Sequence, residues 1–86
     1  MKLTAELSLY PLNEEYIPII QAFIDAMNLH PDLNIVTNAM STQIAGDYDT
    51  VFRAVEQELA ASYRRFGKQV LVVKFIVGEL DITADV

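Results

Sequence analysis

Lys2-Leu3-Thr4-Ala5-Glu6-Leu7-Ser8-Leu9-Tyr10 alternates without a break. Leu3, Ala5, Leu7 and Leu9 fall on one face, while Lys2, Thr4, Glu6, Ser8 and Tyr10 fall on the other. A period of two marks a strand that sets one face on a core. Pro11 ends it, because proline donates no hydrogen bond to a ladder. Downstream, Asn13 reads as the N-cap of a helix opening at Glu14-Glu15, whose carboxylates suit the positive end of the helix dipole. Tyr16, Ile17, Ile20, Phe23, Ile24 and Met27 then recur at spacings of three and four, an amphipathic stripe. Pro18 falls in the first turn or so, where its missing N–H costs little. His30-Pro31-Asp32 stops the helix, since a residue before proline disfavours helical angles.

Two short β-rich runs follow at residues 33–38 and 41–46, and a hairpin is the economical reading. Gly46-Asp47 opens a second helix with Val51, Phe52, Val55, Leu59, Tyr63 and Phe66 as its apolar stripe. Arg64, Arg65 and Lys68 suit that helix's negative end, and Gly67 suits the position just past it. Residues 69–77 are the most β-prone run of the chain. The order β-α-β-β-α-β predicts an α+β fold, the ferredoxin-like plait: a four-stranded antiparallel sheet with two helices on one face. Residues 1–80 form the domain, and 81–86 an acidic tail expected to fray. The opposite sheet face has no helix to cover it.

Composition narrows the function. The chain has 86 residues, 52% hydrophobic and 21% charged, which suits a single folded domain and opposes disorder. A formal charge of −6 argues against nucleic acid and against an anionic membrane surface. The absence of cysteine removes disulfides, thiol catalysis and iron–sulfur clusters. No apolar run is long enough to span a bilayer, and no signal-peptide core follows Met1, so a soluble, cytoplasmic protein is expected. Three glycines, Gly46, Gly67 and Gly78, write neither a phosphate loop nor a dinucleotide fingerprint. His30 has no second metal ligand at useful spacing and reads as a solvated loop residue. Asp47-Tyr48-Asp49 reads as helix capping, and Arg64, Arg65 and Lys68 sit at the wrong dipole end to hold an anion. No cofactor is expected.

Two groupings of hydrogen-bonding side chains remain. The first is the outer face of the first strand, with Thr4, Glu6, Ser8 and Tyr10. Lys74, the sole charge of the last strand, is placed to approach Glu6 across the sheet, as paired charges do when partly buried. The second is Asn38-Ala39-Met40-Ser41-Thr42, whose amide and hydroxyls both donate and accept and so suit a neutral heterocycle. The plainer alternative is that these residues only make the turn. An apolar composition over a half-covered sheet predicts a homo-oligomer, at least a dimer.

Three stretches carry a family likeness: residues 5–12 (Ala5-Glu6-Leu7-Ser8-Leu9-Tyr10-Pro11-Leu12), residues 38–47 with Met40-Ser41-Thr42-Gln43-Ile44-Ala45-Gly46 at their centre, and Lys74-Phe75-Ile76. Together they resemble the YkoF-like thiamine/hydroxymethylpyrimidine-binding proteins over about residues 3–80. The resemblance implies a ferredoxin-like fold, oligomeric or tandem assembly, and binding of thiamine or its pyrimidine without chemistry, in vitamin salvage or transport. Carried onto this chain, it points to Ser8, Tyr10, Asn38, Ser41 and Thr42, and further to Glu6 and Lys74. It implies that Asn38, Ser41 and Thr42 hydrogen-bond the aminopyrimidine, that Tyr10 stacks on a ring, and that Glu6 offsets the thiazolium charge. Two other classes compete: a regulatory or assembly module, and a small ferredoxin-like enzyme such as an isomerase or cofactor-free oxygenase. The enzyme would want an acid or base on the helix-facing side of the first strand, where Leu3, Ala5, Leu7 and Leu9 offer none. A non-catalytic binder is therefore expected.

Overall fold

The computed structural model describes residues 1–84, so Asp85 of the acidic tail lies outside the described residues. Six elements follow in order: β1 (Lys2–Pro11), α1 (Tyr16–Met27), β2 (Asn34–Thr37), β3 (Thr42–Asp47), α2 (Tyr48–Phe66) and β4 (Gln69–Val77). The strands form one antiparallel sheet in the order β2-β3-β1-β4. Leu3, Ala5, Leu7 and Leu9 share a single core with Ile19, Phe23 and Met27 of α1 and Val51, Ala54 and Val55 of α2. Both helices therefore cover the same face, as the alternation of β1 requires. This is the ferredoxin-like α+β plait.

The helices are rotated from their sequence readings. In α1 the buried residues are Ile19, Phe23 and Met27, while Tyr16 and Ile17 are exposed. Asn13 does not cap a helix at Glu14. Its Oδ1 accepts from the Glu15 amide at 2.8 Å, and the helix begins only at Tyr16. In α2 the buried residues are Val51, Ala54, Val55, Glu58 and Ser62, whereas Phe52 is 39% and Tyr63 57% exposed. Large aromatics drew the stripe one position away from the buried line, which runs through small residues and a paired carboxylate. Phe52 instead stacks on Phe75 of β4, ring centroids 4.5 Å apart.

Glu58 explains a second departure. Buried at 8% exposure, its Oε2 lies 2.6 Å from His30 Nε2. His30 is thus no solvated loop residue but the partner of a buried carboxylate, tying the end of α1 to α2.

Gly67 ends α2 at φ 87°, and its amide donates to the Tyr63 carbonyl, as its position after the helix predicts. Gly46 is needed for a different reason. A Cβ there would meet the Leu33 side chain at 2.8 Å and the Asp32 carbonyl oxygen at 3.2 Å. The loop before β2 packs on β3 through that gap.

The segment just after β4, ahead of the tail, is pinned to the sheet. The Gly78 amide donates to the Lys2 carbonyl, and the Thr4 hydroxyl donates to the Gly78 carbonyl while accepting from the Leu80 amide. That fold-back buries Thr4 on the sheet's open face.

Candidate functional site

The two ladders of β1 have different lengths, and that mismatch creates the site. Against β4 the pairing runs from Leu3↔Val77 to Pro11↔Gln69. Against β3 it stops at Leu7↔Thr42. The last third of β1 therefore has a neighbour on one edge only. Beside the bare edge lies a cleft of about 390 Å³, lined by Ser8, Leu9, Tyr10, the 38–42 hairpin, Thr37, and Tyr16, Ile20, Phe23 and Ile24 of α1. Residues from both sheet faces, Leu7 and Leu9 from one and Ser8 and Tyr10 from the other, line the same cavity. Only a cavity against a strand's edge allows this.

Asn38 builds the opening. Its amide donates to the Ser41 carbonyl at 3.0 Å, and its Oδ1 accepts from the amides of Met40 at 2.8 Å and Ser41 at 3.1 Å. Two residues beyond Leu7↔Thr42, Met40 would have been the ladder partner of Leu9. The Asn38 side chain takes the Met40 amide instead, an Asx-type capture that turns the hairpin away from β1. The Asn38 oxygen is spent in doing so, leaving its Nδ2 as a donor.

Five of the seven residues singled out from sequence, Ser8, Tyr10, Asn38, Ser41 and Thr42, line this cleft. Glu6 and Lys74 do not. They sit opposite one another on the open sheet face, Lys74 Nζ 3.6 Å from Glu6 Oε1, as the strand order predicts. Glu6 still touches the site indirectly, since the Ser41 hydroxyl donates to its Oε2 at 2.9 Å. Thr42 is not beside the outer face of β1. It shares the helix-facing side with Leu7, is 5% exposed, and its hydroxyl bonds that of Thr37 at 3.0 Å. Sequence reading missed Thr37 and the α1 wall. A pair of threonines flanking a four-residue hairpin loop was the available signal for the first, because such residues face one another across the hairpin.

The cleft has an aliphatic and aromatic wall from α1, two tyrosines near its mouth and a rim of hydroxyls. Its lining residues include no carboxylate, imidazole or amine. Among the described residues no group of three or more His, Cys, Asp or Glu is placed to hold a metal ion, and no helix is long and apolar enough to cross a membrane.

Fold and site together define a ferredoxin-like α+β domain with an apolar, hydroxyl-rimmed cleft at the end of its central ladder. More narrowly, the chain belongs to the YkoF-related family, whose model matches residues 2–78. Solved structures share the architecture. A candidate thiamine biosynthesis/salvage protein from Thermotoga maritima superposes with a TM-score of 0.80 at 15% identity, over 95% of this chain and 91% of the other. A hypothetical protein from Methanocaldococcus jannaschii gives 0.78 at 25% identity, over 91% and 81%. A domain of unknown function from Bacillus cereus gives 0.78 at 15% identity, over 92% and 78%. No curated protein matches the sequence.

Proposed function

We propose that this chain binds thiamine or its hydroxymethylpyrimidine moiety in the cleft beside β1, without turnover, in vitamin salvage or transport. The observation that carries the reading is the lining itself: flat apolar walls for a ring, and hydroxyls and an amide at the rim for its polar edge. A lining without carboxylate, imidazole or amine favours holding a ligand over moving a proton. The thiamine-related name of the Thermotoga neighbour supports the same class of ligand. A net charge of −6 is compatible with the thiazolium cation, and Glu6 lies one hydrogen bond behind Ser41 of the rim.

The working unit is a homo-oligomer, at least a dimer. Val70, Val72 and Ile76 share the open sheet face and each stays about half exposed, and Phe75 and Val77 remain exposed on the other side of β4. Exposed apolar patches of this kind mark interfaces.

Titration calorimetry with thiamine and with hydroxymethylpyrimidine tests the ligand. Saturable heat with either, and recovery of the ligand unchanged after prolonged incubation, is the expected result. No heat with either at millimolar concentration overturns the assignment, and conversion of the ligand overturns the absence of chemistry.

A further inference from the structure

The alternation of backbone groups along β1 can be read from three hydrogen bonds outside the ladders. The Lys2 carbonyl accepts from Gly78, and the Leu12 amide donates to Lys68, so even-numbered residues of β1 point their backbone groups toward β4. The Met1 carbonyl accepts from the Tyr48 amide, so odd-numbered residues point toward β3. Leu3, Ala5 and Leu7 find partners there in Gly46, Ile44 and Thr42. Leu9 is next in that series, and its partner Met40 has been drawn off by Asn38. The N–H and C=O of Leu9 therefore both open onto the cleft. Backbone groups are obligatory hydrogen-bonding groups, and leaving a donor and an acceptor bare beside an apolar wall is costly unless something satisfies them.

We propose that the N–H and C=O of Leu9 are a recognition edge for an amino-substituted nitrogen heterocycle, in which a ring nitrogen accepts from the amide and the neighbouring exocyclic amino group donates to the carbonyl. This rests on the ligand reading above and adds the specificity to it. A strand edge offers donor and acceptor side by side from one residue. A ring nitrogen flanked by an amino group is their complement, whereas an oxo group beside a ring N–H presents the two in reverse order. Turning such an oxo ring over to restore the order moves its substituents to the opposite side. The α1 wall (Ile20, Phe23 and Ile24) and the hairpin line the cleft beside that edge, so a turned ring sets its substituents against different side chains. Side chains need not carry the discrimination: the hydroxyls of the rim donate and accept alike and tolerate either ring. The bare edge is too short to receive a strand from another chain. Pro11, the next residue pointing that way, has no N–H, so Leu9 supplies the only donor.

Backbone amide exchange in the full-length ¹⁵N-labelled protein, read residue by residue by NMR, tests this against hydroxymethylpyrimidine and its analogue with oxygen in place of the amino group. Without ligand, the Leu9 amide should exchange much faster than that of Leu7, its neighbour in the intact ladder. Saturation with hydroxymethylpyrimidine should slow Leu9 by about tenfold or more and leave Leu7 unchanged. The oxo analogue should bind about 10- to 100-fold more weakly, as expected when a buried polar group is left unpaired. Calorimetric heat without protection of Leu9, or equal affinity for the two rings, overturns this edge while leaving the ligand assignment standing. A Leu9 amide already protected before ligand is added means that protein occupies the edge, and overturns it too. Absence of heat with hydroxymethylpyrimidine overturns the ligand reading itself, and the proposal with it.

Discussion

Replacing His30 with alanine is the sharpest test of the packing that holds the two helices together. The substitution leaves Glu58, buried on α2, without the imidazole that lies 2.6 Å from its carboxylate. Removing one partner of a fully buried pair costs about 3–5 kcal/mol, because the remaining charge stays desolvated. Here the two side chains are 20% and 10% exposed, and Glu58 borders a cavity of about 80 Å³ that has room for water. Arg65 lines the same cavity, but its guanidinium lies over the Phe66 ring at 4.7 Å and does not take the place of His30. Partial hydration lowers the expected loss to about 2–3 kcal/mol. For a domain whose stability is of the order of 5–10 kcal/mol, that is a large fraction. Urea denaturation at fixed protein concentration reads it as a midpoint lowered by roughly 2 M, taking a slope of about 1 kcal/mol per molar. Glu58→Gln keeps an acceptor for the imidazole N–H and removes the charge, so it should cost about 1 kcal/mol or less. Combining His30→Ala with Glu58→Gln should recover much of the single loss, because no charge is then stranded. If His30→Ala unfolds within about 0.5 kcal/mol of the parent, the size of an ordinary surface change, the pair does not support Glu58 and the reasoning fails.

Thr42→Val keeps the shape of a residue lining the cleft and removes its hydroxyl, so affinity for hydroxymethylpyrimidine should fall by about 1–3 kcal/mol, or roughly 5- to 150-fold. Thr50→Val in α2, outside the cleft, should leave affinity nearly unchanged; equal binding by both variants in calorimetry would show that Thr42 is not a contact. Light scattering at micromolar concentration should give at least twice the chain mass, and a monomer would refute the homo-oligomer. At the far end of β1, the hydrogen bond and charge of Lys2, 2.8 Å away, hold the Asp47 carboxyl below its usual value of 3.8, and Asp47 in turn raises Lys2 above 10.5. The Asp47 contribution is therefore present above pH 3.8 and lost as pH falls through the lowered value. That of Lys2 is present below 10.5 and lost as pH rises through the raised one. Asp47→Asn should be less stable than the parent between those limits, with the gap closing at both ends and shrinking at about 1 M salt, where screening acts over ~3 Å; a gap indifferent to pH and salt would refute the pairing.

The fold was legible because its evidence is periodic. Nine residues of strict alternation in β1 place four aliphatic side chains on a single face, and a one-residue slip would expose them all. Element order then leaves few topologies. The helix faces were harder to read. In α2 the buried line runs through Ala54, Glu58 and Ser62, whose side chains carry far less apolar surface than Phe52 and Tyr63. Small residues and a paired carboxylate fill that line, while Phe52 packs beside it on Phe75 of β4. Neither the burial of Glu58 nor its partner twenty-eight positions away leaves a mark in local pattern.

The site was legible as a set of residues and illegible as a shape. Ser8, Tyr10, Ser41 and Thr42 were recognisable as hydrogen-bonding groups from their residue types, yet their side of the sheet depends on register, and register placed Thr42 among the helices. The cleft itself comes from two counts that no single stretch displays. β1 is ten residues long and β3 is six, so pairing from Lys2↔Asp47 onward must run out before β1 does. What happens past that point turns on Asn38. Its Oδ1 holds the amides of Met40 and Ser41 inside the turn while its own amide bonds the Ser41 carbonyl, so the hairpin closes at Ala39-Met40 and the ladder with β1 ends at Leu7↔Thr42. Asn38 thus holds the turn that borders the candidate site, a role separate from any contact its Nδ2 makes with a ligand.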